Sequence, residues 1–320
     1  MPPYLIALEE HYDAQVFDTS DALHEALPAH VHDRLHDLGE SRIADMKSGN
    51  TRLQVISHVG GPKPVAGCMA ANDKLAAACK EHQGSFAGWA ALPMQDPEAA
   101  VEELTRAVKD LGFVGALLDS HTEDGSMYDD AKFWPVFAQA VKLDVPLYIH
   151  PSYPADNMAS HYRGNFDKNA AIMMATASWG WHSECGLHIL RLFASGVFDQ
   201  FPKLKIVIGH MGEMIPFMLD RTARTTRVWG EFERDLQTVW QENIWVTTSG
   251  LFTLPPFECL LKVSPADKIM FSVDYPFSTT ETGAQFVEEI QRAGILSQEQ
   301  LEAFCHGNAE KLLKLKAQQA

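Results

Sequence analysis

Cysteine is scarce in this chain and carries no pattern. Cys68, Cys79, Cys185, Cys259 and Cys305 form an odd set without Cys-x-x-Cys spacing, which argues against a disulfide framework and against a zinc ribbon. They read as ordinary buried thiols of a reducing compartment. Positive charge is also short: 26 Lys and Arg stand against 42 Asp and Glu, a net charge of −16, so no broad basic face is expected for nucleic acid or an anionic membrane. Long hydrophobic runs are missing too, since none reaches the roughly 18 residues of a membrane-spanning helix. The start, Met1-Pro2-Pro3-Tyr4, lacks the basic stretch and apolar segment of a secretory signal. No Pro/Gly/Ser linker or low-complexity tract divides the 320 residues. The expectation is one domain over 1–320, soluble and cytoplasmic, with no nucleic-acid partner and no membrane.

What is present is a large apolar content, 46%, enough to build a substantial core. Eight segments read as strands: 4–8, 54–59, 86–92, 113–119, 145–150, 205–209, 244–249 and 268–273. Most are continuous apolar runs rather than alternating ones, as in strands covered on both faces. Helical patterns lie between them. Asp96-Pro97-Glu98 opens one, with an N-cap carboxylate and a first-turn proline, then apolar positions Ala100, Val101, Leu104, Val108 and Leu111 before Gly112. Others run near 131–142, 182–195, 281–293 and 297–317. Strand and helix alternating eight times predict an α/β fold, the (β/α)8 TIM barrel. Two connections are long, 12–53 after strand 1 and 151–181 after strand 5. Both fall on the side where such barrels bind substrate.

Four of the strand ends carry residues able to bind a divalent metal. Glu9 and His11 follow Leu5-Ile6-Ala7-Leu8, His150 closes Pro146-Leu147-Tyr148-Ile149, His210 closes Ile206-Val207-Ile208-Gly209, and Asp274 closes Ile269-Met270-Phe271-Ser272-Val273. A single histidine at a strand end is ordinarily a hydrogen-bonded structural residue. Glu9 and His11 say more, because residues two apart on a strand point the same way. The conjunction carries the reading: a barrel aims its strand ends at one axis, so strands 1, 5, 6 and 8 can meet on a single ion.

The same stretches resemble a known family. Leu8-Glu9-Glu10-His11, Tyr148-Ile149-His150-Pro151, Gly209-His210-Met211-Gly212-Glu213 and Phe271-Ser272-Val273-Asp274-Tyr275-Pro276-Phe277 are similar to motifs of the amidohydrolase-related non-oxidative aromatic acid decarboxylases, of the γ-resorcylate and 2,3-dihydroxybenzoate type. The similarity spans nearly the whole chain and is densest from 86 to 277. It implies one divalent metal, zinc, manganese or magnesium, held by Glu9, His11, His150 and Asp274, with His210 beside it. It also implies a small aromatic carboxylic acid as substrate and a homodimer or homotetramer as the assembly.

Decarboxylation gives these residues roles. Direct loss of CO2 would leave an unstable aryl anion, so the ring carbon is protonated first. An ortho hydroxyl feeds electron density to that carbon while the metal fixes the carboxylate. Asp274 is the first candidate for proton donor and His210 the second. Glu213 can set the His210 tautomer and also serve as a helix N-terminal carboxylate. Arg221 matches an arginine that the family uses toward substrate or a neighbouring subunit. Tyr12, Trp181, Phe252, Tyr275 and Phe277 are candidates for an aromatic wall. Asp119 and His121 stand where relatives carry asparagine, and His58 is either a substrate contact or a loop residue. His188 reads as structural, and Asn308 as the cap of the last helix. The alternative activity is a hydrolase that uses the metal for a lactone or amide, with Asp274 as general base.

Overall fold

Each apolar run becomes a parallel strand, and the eight pair in chain order. The computed structural model describes residues 3–17, 27–61 and 63–315. The strands are β1 (Leu5–Tyr12), β2 (Thr51–His58), β3 (Phe86–Ala90), β4 (Gly115–Asp119), β5 (Leu147–His150), β6 (Ile206–Ile208), β7 (Ile244–Thr247) and β8 (Ile269–Met270). Beyond β8 the chain returns to β1 through a parallel bridge between Glu10 and Tyr275. The result is a nearly closed (β/α)8 barrel.

The alternation that a sheet imposes separates two cores. Ile6, Leu8, Val55, Trp89, Leu117, Tyr148, Val207 and Met270 fill the barrel interior. Leu5, Ala7, Ile56, Leu118, Ile149 and Ile206 face the other way, into the layer beneath the helices. That double burial is why the strands read as unbroken apolar runs. The helix Asn308–Leu313 packs Ala309, Leu312 and Leu313 onto the interior cluster and plugs the end away from the site.

Local chemistry fixes the helices between strands. Asp96 accepts from Ala99 N at 3.1 Å and caps the helix Pro97–Lys109, which buries Ala100, Leu104 and Ala107. The segment expected as one helix over 297–317 is instead broken. Helix Gln298–Glu302 passes through a π-helical turn, Ala303–Gly307, into Asn308–Leu313. Asn308 is therefore not the N-cap of the last helix but its first residue. Its amide donates to Ala266 O at 2.9 Å and Ile269 O at 2.8 Å, tying the last helix to the start of β8.

β1 holds the second departure. The expected strand ended at residue 8, yet pairing with β2 continues to Tyr12 across a β-bulge, because Ala7 pairs with Gln54 while Glu10 pairs with Ile56. Two peptide N–H groups then converge on one acceptor: Leu8 N and Glu9 N lie 3.0 and 2.7 Å from Ser272 Oγ. The extra residue turns Glu9 into the barrel mouth beside His11, with Glu10 and Tyr12 sent outward.

Candidate metal centre and proton-transfer site

The bulge and three strand ends bring four ligand-type side chains together. One donor atom from each of Glu9, His11, His150 and Asp274 lies within 4.8 Å of the others. His150 Nε2 is 3.1 Å from Glu9 Oε1, and His11 Nε2 is 3.2 Å from Asp274 Oδ1. Among the described residues, buried Glu9 Oε1 and His11 Nε2 have no hydrogen-bond partner, as atoms facing an ion would be. Two carboxylates and two imidazoles suit manganese or zinc.

Glu9, His11 and the backbone around Asp274 are held from behind. Glu9 Oε2 accepts from the Tyr148 and Ser249 hydroxyls, with Thr247 Oγ1 at 3.4 Å, so Oε1 is left to face the cluster. Burial and the Glu9 charge push the Tyr148 phenol far above its ordinary range, which keeps it a donor. Gly209 is required for this packing, since a Cβ there would stand 2.4 Å from Glu9 Oε2. Ser57 Oγ sits 3.1 Å from His11 Nδ1, and when that nitrogen donates to it the lone pair is on Nε2. Glu10, turned outward, accepts from Val273 N and Tyr275 N at 2.9 Å each and from Ser272 Oγ. It thereby clamps the residues on both sides of Asp274. Arg42, fully buried, donates to His11 O and lies 4.6 Å over the Tyr275 ring.

Beside the cluster the backbone takes an uncommon path. His210, Met211, Gly212, Glu213 and Met214 all have positive φ, forming a left-handed turn ahead of the helix Ile215–Thr225. Left-handed geometry costs L-residues about 1–2 kcal/mol each, so surrounding packing must hold the turn. What it achieves is a contact three residues apart: His210 Nδ1 to Glu213 Oε1 at 2.8 Å. Glu213 also lies just ahead of the helix Ile215–Thr225, so the two expected roles coexist. Its second oxygen lies 2.8 Å from His182 Nδ1, and His182 Nε2 is 3.0 Å from Ala177 O. His182, His210 and Glu213 are close enough to suggest a second ligand set. The Nδ1 atoms of both histidines, however, are engaged with the two Glu213 oxygens as hydrogen bonds.

The charges follow from these contacts. Burial opposes a charged His210, but Glu213, Glu9 and Asp274 outweigh it and raise the imidazole well above its ordinary value. Asp274 is pushed up by burial, yet the His11 and His210 imidazoles beside it hold it below the usual carboxylate range. Its two oxygens have different neighbours: Oδ1 faces His11, and Oδ2 is 3.8 Å from His210 Nε2.

A cavity of about 630 Å³ opens over the cluster, with His11, His150 and Asp274 at its floor. Leu35 and Val59 form part of its apolar wall, and Asp119, His121, Trp181 and Phe277 reach into it. The connections after β1 and β5 both contribute lining, through Leu27 and Leu35 and through residues 151–181.

The amidohydrolase family matches residues 13–315 of the chain. The chain belongs to that family. It is 44% identical to decarboxylase orsB of Emericella nidulans over 98% of each protein. It is 33% identical to a gamma-resorcylate decarboxylase of Polaromonas sp. over 97% of this chain and 98% of that one. The structure of a Polaromonas dihydroxybenzoic acid decarboxylase with bound manganese and the inhibitor 2-nitroresorcinol superposes with a TM-score of 0.87, at 31% identity, over 98% of this chain and 97% of the other. By family and relatives, this amidohydrolase is a carboxy-lyase, and its Glu/His/Asp cluster could hold one metal ion.

Some expected contacts are not made. Tyr12 points into the outer core, where its hydroxyl donates to Ala71 O at 2.6 Å, so it does not reach the cavity. The strand runs on through Tyr12 instead of ending before it, so alternation places Tyr12 on the face opposite His11. Arg221 is exposed on the helix Ile215–Thr225 and does not line the cavity. Phe252 packs 6.0 Å from Phe286, and Tyr275 is buried against Arg42, so the aromatic wall reduces to Trp181, Phe277 and Tyr153. His58 is structural: Nε2 accepts from Ala14 N at 3.0 Å. His188 is also structural, fully buried and accepting from Tyr128 N at 3.1 Å. Sequence reasoning missed Glu10, His182, Lys63 and the hydroxyl cage. Only the acidic pair Glu9-Glu10 offered a signal.

Proposed function

We propose that this amidohydrolase decarboxylates an ortho-hydroxylated benzoate without oxidation, of the 2,3-dihydroxybenzoate, γ-resorcylate or salicylate type, releasing CO2 after ring protonation. The observation that carries the reading is the meeting of four ligand atoms within 4.8 Å at a cavity floor, next to a buried His210–Glu213 pair. Glu9, His11, His150 and Asp274 would hold a divalent ion. When bound, the ion supplies positive charge for the substrate carboxylate and ortho hydroxyl oxygens.

The chain's own groups handle the proton. His210, with its raised pKa, stores it, and Asp274 Oδ2, 3.8 Å away, is placed to pass it to the ring carbon bearing the carboxylate. The carbon–carboxylate bond then breaks, its electron pair restores the aromatic ring, and CO2 departs. One proton is consumed per turnover. Glu213 orients His210, and Phe277, whose ring is 5.9 Å from that of His11, flanks the aromatic substrate. Asp119 meets the substrate on another side.

The active assembly is a homodimer or homotetramer. Phe217, 84% exposed, and Val228, 88% exposed, lie on the same stretch as Arg221, a surface suited to a second copy and able to bring that arginine to a neighbour's site. No helix among the described residues is long and apolar enough to cross a membrane. The free thiols fit a cytoplasmic setting.

The test is incubation of the manganese-loaded protein with hydroxybenzoates in D2O. Decarboxylation releases CO2 and puts one deuterium on the ring at the vacated carbon. Lactone or amide cleavage with neither product would establish the hydrolase instead.

A further inference from the structure

The cavity is larger than its floor requires. A cavity of about 150 Å³ holds a benzene ring. The 630 Å³ over His11, His150 and Asp274 is roughly four times that, so a benzoate with only small polar groups leaves about half of it to water. Part of the remaining lining is apolar. Leu27 and Leu35, from the connection after β1, and Val59, just past β2, line one stretch of it. With Val31 they form a hydrophobic cluster separate from the barrel interior and from the layer beneath the helices. Leu35 is fully buried and backs the wall, while Leu27 and Val59 keep some exposed surface. Backbone hydrogen bonds pin it at the two residues that follow His11: Asp13 N donates to Leu35 O at 2.8 Å, and Val59 N to Tyr12 O at 3.0 Å.

An apolar wall beside the space that the ring leaves empty asks for an apolar occupant, whose burial removes both surfaces from water. A hydroxyl or carboxylate placed against Leu27 and Val59 would shed its hydration without gaining a partner. An alkyl chain loses nothing there. Each methylene that reaches the wall adds a further increment of binding.

We propose that Leu27 and Val59, backed by Leu35, form a subsite for an apolar ring substituent of several carbons, which makes the preferred substrate of this amidohydrolase a long-chain alkyl-substituted ortho-hydroxybenzoate. The assignment rests on the decarboxylase reading and adds the class of substituent. Leu27 and Val59 touch the chain, and Leu35 is a positioning residue.

The test measures kcat/KM of the manganese-loaded enzyme for ortho-hydroxybenzoates carrying methyl, propyl or pentyl at each free ring position, with the unsubstituted acid as reference. Methyl and longer chains donate electrons to the ring almost equally, so the pentyl-to-methyl ratio reports fit rather than reactivity. At one position or more kcat/KM should climb about fourfold per buried methylene, and at least about tenfold from methyl to pentyl. Val59→Thr keeps the side-chain shape and puts a hydroxyl into the wall, and Leu27→Ser removes part of its surface. In each the pentyl-to-methyl ratio should fall by about threefold or more. A purely structural role for the cluster would lower all rates together and leave that ratio alone. Pentyl compounds turned over no better than methyl ones at every position, or an unchanged ratio in the folded variants, would overturn the subsite while the decarboxylase reading stood. CO2 from none of the compounds, the reference included, would overturn that reading, and the subsite with it. Circular dichroism and manganese content check the variants, and if neither folds, the wild-type series decides alone.

Discussion

Removing one hydroxyl probes whether Glu9 holds the metal. Tyr148 is fully buried, and its phenol donates to Glu9 Oε2 while lying 2.7 Å from Thr247 Oγ1. Tyr148→Phe keeps the ring and its edge contact with Trp89, centroids 5.8 Å apart, and so leaves the interior core filled. A hydrogen bond to a charged group contributes about 1.5–3 kcal/mol. Ser249 and Thr247 still reach the same oxygen, so the lower value applies, roughly a tenfold weakening of manganese binding. Adding Ser249→Ala removes the second strong donor and should bring the loss toward about 100-fold, the upper end for residues that support ligands. The assay is a chelator-buffered manganese titration followed by calorimetry, with kcat measured at saturating metal. Should the double variant bind manganese within twofold of wild type, Glu9 is not a ligand held by this cage, and the proposed centre is wrong.

Other perturbations separate the remaining roles. Asp274→Asn should remove most turnover, at least about 100-fold, and weaken manganese binding; near-normal turnover would exclude Asp274 as proton donor. Glu213→Gln should lower kcat by about 10- to 100-fold with a smaller loss of metal, because it touches His210 and not the ligands. His182→Phe frees one oxygen of Glu213 and should lower kcat severalfold at unchanged manganese content, read by steady-state kinetics and metal analysis. An unaltered kcat would show that Glu213 needs no second anchor. For stability, burial holds the His188 imidazole down at about 3 against an ordinary 6.5. Between those values the unfolded chain binds a proton that the folded chain refuses, so this contribution is complete above the ordinary value and lost as pH falls through the window. The expected loss from pH 7 to pH 4.5 is roughly 3 kcal/mol. Urea unfolding at the two pH values should show a smaller difference in His188→Gln.

Much of the architecture was legible because its signals are local. A strand buried on both faces must be apolar throughout, and Asp96-Pro97 starts a helix by chemistry confined to one turn. That the four ligand-type residues meet was legible for a related reason: a polar residue ending an apolar strand has few places to point in a closed barrel. Tyr12 failed where facing mattered, and Arg221 does not reach the cavity of its own chain. Tyr12 was expected beyond the strand end, but β1 runs through it and alternation turns it away from the face of His11. Arg221 shares a helix with the turn that carries Glu213, yet lies on the outside of that helix.

By itself, then, the order of residues determined an eightfold strand–helix alternation and the rim on which the ligand-type side chains gather, since periodicity and residue type act over a few positions, while the choice of Glu9, His11, His150 and Asp274 as candidate ligands came from the family resemblance. Tertiary structure alone decided how those side chains are aimed. Ser272 anchors the bulge from 263 residues away, Glu10 grips the peptides around Asp274, and His182 meets Glu213 across the left-handed turn. Contacts between distant segments are made only when the barrel closes, and no local pattern encodes which donor will meet which acceptor there.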